Sequence, residues 1–134
     1  MNYALLTAPF LLAACAKPPD PVNCAVPPDG FHPWRDAPYS LDAYARNVIS
    51  VSNEAISWNG TIIEDAPDKP AFSVLEQFLG INAQLQPPFS TAITFEKGVA
   101  CSRVTAVRDL IDKHLSCREN FGTCLQGEPP WERD

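Results

Sequence analysis

Four cysteines, Cys24, Cys101, Cys117 and Cys124, are the residues of this chain whose type and spacing most clearly imply chemistry. An even set of this kind in an oxidising compartment pairs into two disulfides. Of the three pairings open to four cysteines, the one joining Cys101 to Cys117 is disfavoured. Those two flank a helical stretch whose rise sets them about 24 Å apart, whereas bridged Cα atoms lie within about 7 Å. Cys117–Cys124 with Cys24–Cys101 is preferred: the first closes a small loop around Arg118–Thr123 and the second clips an N-terminal arm to the body of the chain. Zinc is the competing chemistry, with His32 and His114 as extra ligands, but no C-x-x-C pair supports it. His32 lies in a Pro-rich stretch. His114 falls in the last turn of a helix, where an imidazolium meets the dipole favourably. No serine stands in a G-x-S-x-G elbow, and no phosphate-binding loop occurs among the 6 glycines. The expectation is a protein that is not an enzyme, with no cofactor and no metal.

The elements that must position these residues are legible from periodicity. In Ser90–Glu96, Ile93 and Phe95 alternate with Ala92 and Thr94, the period-2 pattern of a strand with one buried face. Lys97-Gly98 breaks it, and Ser102 is the expected N-cap of the next helix. Val104, Val107, Leu110, Ile111 and Leu115 recur at helical spacing, with Arg103, Arg108, Asp109, Asp112 and Lys113 on the other side. Arg108–Asp112 and Asp109–Lys113 are expected as i,i+4 pairs on a solvated face. Upstream, Tyr39–Asn47 has the makings of a helical turn or two. Val48, Ile49 and Val51 read as a strand, Ser52-Asn53-Glu54 as a turn, Ile56 and Trp58 as a continuing alternation and Thr61–Ile63 as a return strand, and Asn59-Gly60 is a tight-turn signal. Asn59-Gly60-Thr61 also matches a glycosylation sequon, read here as turn chemistry only. Asp68 is the expected cap of a helix over Ala71–Leu85 with Phe72, Leu75, Phe78 and Leu79 as its core stripe, stopped by Pro87-Pro88. Trp58, in phase with Ile56, is expected in the core. The fold class is α+β, a small two-layer sandwich: a β-hairpin, then α-β-α, with two helices packed on a small sheet.

The start of the chain implies where this domain works. Tyr3–Ala14 is apolar apart from Thr7 and Pro9, and is well short of the roughly 20 residues a spanning helix needs. It fits the apolar core of an export signal. The run ends in Leu12-Ala13-Ala14-Cys15, which resembles a bacterial lipobox. That resemblance implies lipidation of Cys15 and residues 1–14 as a signal peptide. It also implies a protein of the bacterial cell envelope that faces the periplasm, with a membrane partner through its anchor; Ala16 after the cysteine leans towards the outer membrane. Residues 15–38, with Pro18, Pro19, Pro21, Pro27, Pro28, Pro33 and Pro38, then form a lipidated Cys and a Pro-rich tether. Phe31, Trp34 and Tyr39 at its end are expected to dock on the domain rather than serve as a partner's contact site. The domain covers 39–127, and 128–134, with Trp131, is a disordered tail. A formal net charge of -6 with no basic cluster excludes a nucleic-acid partner.

Taken together, Ile49–Trp58 ending in Asn59-Gly60, a helix carrying Leu75 and Leu79, Pro87-Pro88 before a strand Ala92–Glu96, and Val104, Val107, Leu110 and Ile111 on a last helix resemble the periplasmic domain of the ExbD/TolR biopolymer-transport family. The resemblance covers roughly Val48–Leu115. It implies partners among envelope transport or cell-wall proteins and, through a sheet edge, a homodimer. The chain departs from that family in two places. Met1–Ala14 holds no acid and is too short to span, and Ser116–Gly127 is polar and Cys-bearing where the family adds a closing apolar strand. The leading expectation is therefore a non-enzymatic, lipid-anchored binding or assembly module linked to envelope transport. The alternatives are a subunit of a proton-driven transport complex with a missed N-terminus, and a secreted disulfide-stabilised hydrolase or inhibitor using the Cys117–Cys124 loop as its contact element.

Overall fold

In the computed structural model, residues 24–36, 46–65 and 72–128 are described. The expectations for Cys15, the signal segment, Tyr39, the helical turn after it, the Asp68 cap and Trp131 lie outside them. The elements run β1 (His32–Pro33), a short 3-10 turn (Trp34–Asp36), β2 (Asn47–Val51), β3 (Ala55–Trp58), β4 (Thr61–Asp65), α1 (Ser73–Ala83), β5 (Thr91–Phe95), α2 (Cys101–Leu115) and β6 (Cys124–Gln126). The domain is α+β: one six-stranded sheet in the order β1-β6-β5-β2-β3-β4, with the two helices packed on it.

The sheet has two halves with different physics. From β2 outwards through β3 and β4 the pairing is antiparallel, with Ile49 opposite Trp58 and Ser57 opposite Ile62. From β2 through β5 and β6 to β1 it is parallel, with Ile49 opposite Ile93 and Ala92 opposite Leu125. Parallel strands are normally covered on both faces, while antiparallel ones tolerate water on one. This sheet follows that rule. The helix side holds the main core, in which Ile49, Val51, Ile56 and Ile93 meet Leu75 and Leu79 of α1 and Val104, Val107, Ile111 and Leu115 of α2. On the opposite side, Trp34 lies over Ala92 and Leu125, with Val48 at the margin, and covers the parallel half alone.

That second core corrects the tether boundary. Residues 24–36 were expected within the stretch 15–38 as spacer. Instead Cys24, Phe31 and Trp34 are buried, and His32–Pro33 adds a strand to the sheet. Phe31 and Trp34 dock, as expected. The hairpin also grows: β2, β3 and β4 form a three-stranded meander whose Asn59-Gly60 turn takes positive φ at both residues (51° and 87°), as a type I′ hairpin requires. Asn59 goes further, its Oδ1 accepting from the Val48 amide at 2.8 Å. Strand β6 was not expected at all. Three residues are too few to show alternation, and all three are buried because β6 sits inside the sheet.

Both helix starts differ from expectation. The α2 N-cap position is Ala100, not Ser102, and its amide donates to Asn53 Oδ1 from the β2–β3 turn at 3.0 Å. Helix α1 begins at Ser73, where the Glu64 carboxylate of β4 accepts the Val74 amide at 2.8 Å. Each orphan donor is met by a side chain from a distant strand or turn, a solution local spacing cannot reveal. The loop after α1 is held from inside by Asn82, whose amide group donates to the Phe89 carbonyl and accepts the Phe89 amide, at 3.0 and 3.1 Å.

Candidate functional site

On the outer face beyond the reach of Trp34, from the end of β5 across β2 and β3 to β4, register lines up small hydroxyl side chains. Thr94 of β5 pairs with Ser50 of β2, Ser50 with Ser57 of β3, and Ser57 with Ile62 of β4. Their short side chains leave an open trough of about 450 Å³, lined also by Ser52, Ala55 and Glu96. Thr94 Oγ1 donates to Ser50 Oγ at 3.2 Å, and Ile62 stands 61% exposed at the edge. Hydroxyls donate and accept alike, and Val51, Ala55, Ile62 and Phe95 complete the lining, so this surface suits a ligand with both neutral polar and apolar groups. Its lining contains no histidine or lysine to take a proton from serine.

The cysteines are brought together in two pairs, Cys24–Cys101 and Cys117–Cys124, with Cα separations of 5.7 and 5.5 Å. The first ties the N-terminal segment to the start of α2. The second closes the loop between α2 and β6, whose 64%-exposed Phe121 lies edge-on to His32 with centroids 4.3 Å apart. Close packing beside this loop demands Gly30: its φ is +89°, and a Cβ there would lie 2.9 Å from the Arg118 amide nitrogen. Among the described residues no three His, Cys, Asp or Glu side chains are grouped to hold a metal ion.

Charged side chains on α2 depart from the expected i,i+4 pairs. Arg108 is buried, not solvated. Its guanidinium donates to the Cys24 carbonyl, which also accepts from Gln126 Nε2 at 3.0 Å, and burial pulls its pKa down. Asp112 accepts the Cys117 amide beyond the helix end at 3.0 Å. Lys113 reaches across to Glu76 of α1, and His114 Nε2 lies 3.3 Å from the same carboxylate while its ring packs over Gly80. Helical i,i+4 pairs contribute only a few tenths of a kcal/mol, so a carbonyl, an orphan amide or a carboxylate offered by a neighbouring element outcompetes them.

The Lys113 ammonium foremost, then the His114 ring, holds the Glu76 carboxyl below its ordinary value. A carboxyl whose pKa is lower folded than unfolded stabilises the fold above the unfolded value and loses that contribution as pH falls through the folded one. We expect the carboxyl carbon NMR shift of Glu76 to titrate below the usual glutamate range, and Lys113→Met to raise its midpoint towards that range. An unchanged midpoint in Lys113→Met would contradict the pairing.

No family model matches the chain, and no curated protein or solved structure is detectably similar to it.

Proposed function

We propose that this chain is a non-enzymatic binding module of a bacterial envelope, exported, lipidated at Cys15 and held close to a membrane surface facing the periplasm. The observation that carries the proposal is the pair of disulfides, a bond type that persists in oxidising compartments and not in the cytosol. It agrees with the Leu12-Ala13-Ala14-Cys15 run upstream. Among the described residues no helix is long and apolar enough to cross a membrane; the attachment proposed is through the acyl chains on Cys15. The module offers the trough that runs from β5 across β2 and β3 to its ligand. A place beside envelope transport or cell-wall proteins is the finer part of the proposal, and the resemblance of the apolar pattern to ExbD/TolR supports it.

The test is the mass of the native N-terminus together with fractionation of a Cys15→Ser variant. The expected result is a diacylated Cys15 as first residue, and release of the variant from the membrane fraction. Protein in the cytosol with Met1 retained and no lipid would overturn the proposal.

A further inference from the structure

The outward face of α1 is unlike the rest of the surface. Phe78, Ile81 and Leu85 form one stripe at i, i+3 and i+7 along the helix and the turn after it, 37%, 62% and 39% exposed. Gln77 and Gln84 flank the stripe. The helix carries a single charge, Glu76, which is turned towards Lys113 and His114 of α2. By contrast, α2 shows water Asp109, Asp112 and Lys113. Trp58 of β3 stacks on Phe78 with centroids 5.3 Å apart and extends the apolar strip onto the sheet.

We infer that this face is where a second copy of the chain docks, α1 against α1 in antiparallel sense about a two-fold axis at Ile81. Three observations select that occupant. A two-fold interface has to be complementary to itself, and this stripe is: reversal sets Ile81 on Ile81 and brings Phe78 within one residue's rise, ~1.5 Å, of Leu85 of the second copy, with the glutamines able to bond across. Two chains of net charge -6 repel over most approaches, and an uncharged face removes that penalty where they touch. A bilayer surface is the poorer match, because interfacial helices carry lysine and arginine beside their apolar face and α1 has neither. The inference does not depend on lipidation of Cys15.

An 11-residue helix is ~16 Å long and buries less than the ~1,600 Å² of a standard interface, so the dimer is a weak one. Sedimentation of the full chain from 10 µM to 1 mM should show monomer giving way to dimer. Ile81→Glu should raise the Kd at least ~10-fold as a central anchor, with an unchanged thermal midpoint showing that the exposed position leaves the fold intact. In a Cys15→Ser background, Ile81→Cys should cross-link to its own copy in mild oxidant, and Thr105→Cys on the exposed face of α2 should not. A monomer throughout that range, a dimer indifferent to Ile81→Glu, or equal cross-linking of the two cysteine variants would overturn the inference. So would a monomer that co-sediments with phosphatidylcholine vesicles and is released by Ile81→Glu, since the face would then be a lipid contact.

Discussion

Replacing Trp34 with alanine is expected to destabilise the domain by about 4 kcal/mol, within the range for removing a fully buried aromatic side chain. Trp34 is 1% exposed and is the largest side chain covering the outer face of the parallel half, against Ala92 and Leu125. Neither neighbour is large enough to fill the space: Ala92 has no rotamer to change, and Leu125 is fixed in the middle of the sheet between β1 and β5. The lost tryptophan therefore leaves a cavity or admits water onto strands that lack polar side chains there. Urea unfolding with both disulfides intact measures the effect as a shift of midpoint at constant slope. A spacer residue lying on the surface would move stability by less than about 0.5 kcal/mol. A value in that lower range would return residues 24–36 to the tether.

The contrast between what periodicity revealed and what it concealed has a physical pattern. Strands β2 and β3 and both helices declare themselves because each buries one face against the main core, and burial of one face is what a period of 2 or 3.6 records; β5 alternates in residue type although Trp34 covers its Ala92 as well. Asn59-Gly60 is equally plain, since the turn needs positive φ and few residues adopt it. The tether reading of residues 24–36 came from proline content. Prolines disfavour interior strands, but at β1, an edge of two residues, Pro33 is tolerated. Phe31, Trp34 and the Cys24–Cys101 pairing are the signals that the arm folds back.

Strand β6 and Arg108 illustrate the other limit. A three-residue strand has no period, and an arginine at a position flanked by Val104, Val107 and Ile111 looks solvated until the Cys24 carbonyl is brought to it from 84 residues away. Distance along a helix is a local quantity, so it could set aside Cys101–Cys117, while the choice between the two remaining pairings is made by the fold. The trough has no such local signal. Ser50, Ser57 and Thr94 are unremarkable in sequence and become a row only through the register of three strands, one of them reached by a crossover.

The two disulfides are expected to contribute unequally, and the order follows from the chain they close. Cys24 and Cys101 are 77 residues apart, Cys117 and Cys124 only 7. Loop-closure entropy of the unfolded chain then assigns about 4.5 kcal/mol to the first bond and about 2.5 to the second. The double variants Cys24→Ala with Cys101→Ala, and Cys117→Ala with Cys124→Ala, compared in urea, should reproduce that order. The first loses more than chain entropy where the segment can peel away, because Arg108 and Gln126 both donate to the Cys24 carbonyl and would leave a buried guanidinium without it. The same geometry predicts that Trp34→Ala and the loss of Cys24–Cys101 are not additive, since both act on one segment. With the clip gone, the segment can detach, and the cost of truncating Trp34 is then capped at the free energy of docking that segment. The combined variant should therefore fall short of the roughly 8.5 kcal/mol sum of the two effects. Full additivity would mean that β1 and Trp34 stay seated without the clip. The Cys24–Cys101 bond would then act on the unfolded chain alone.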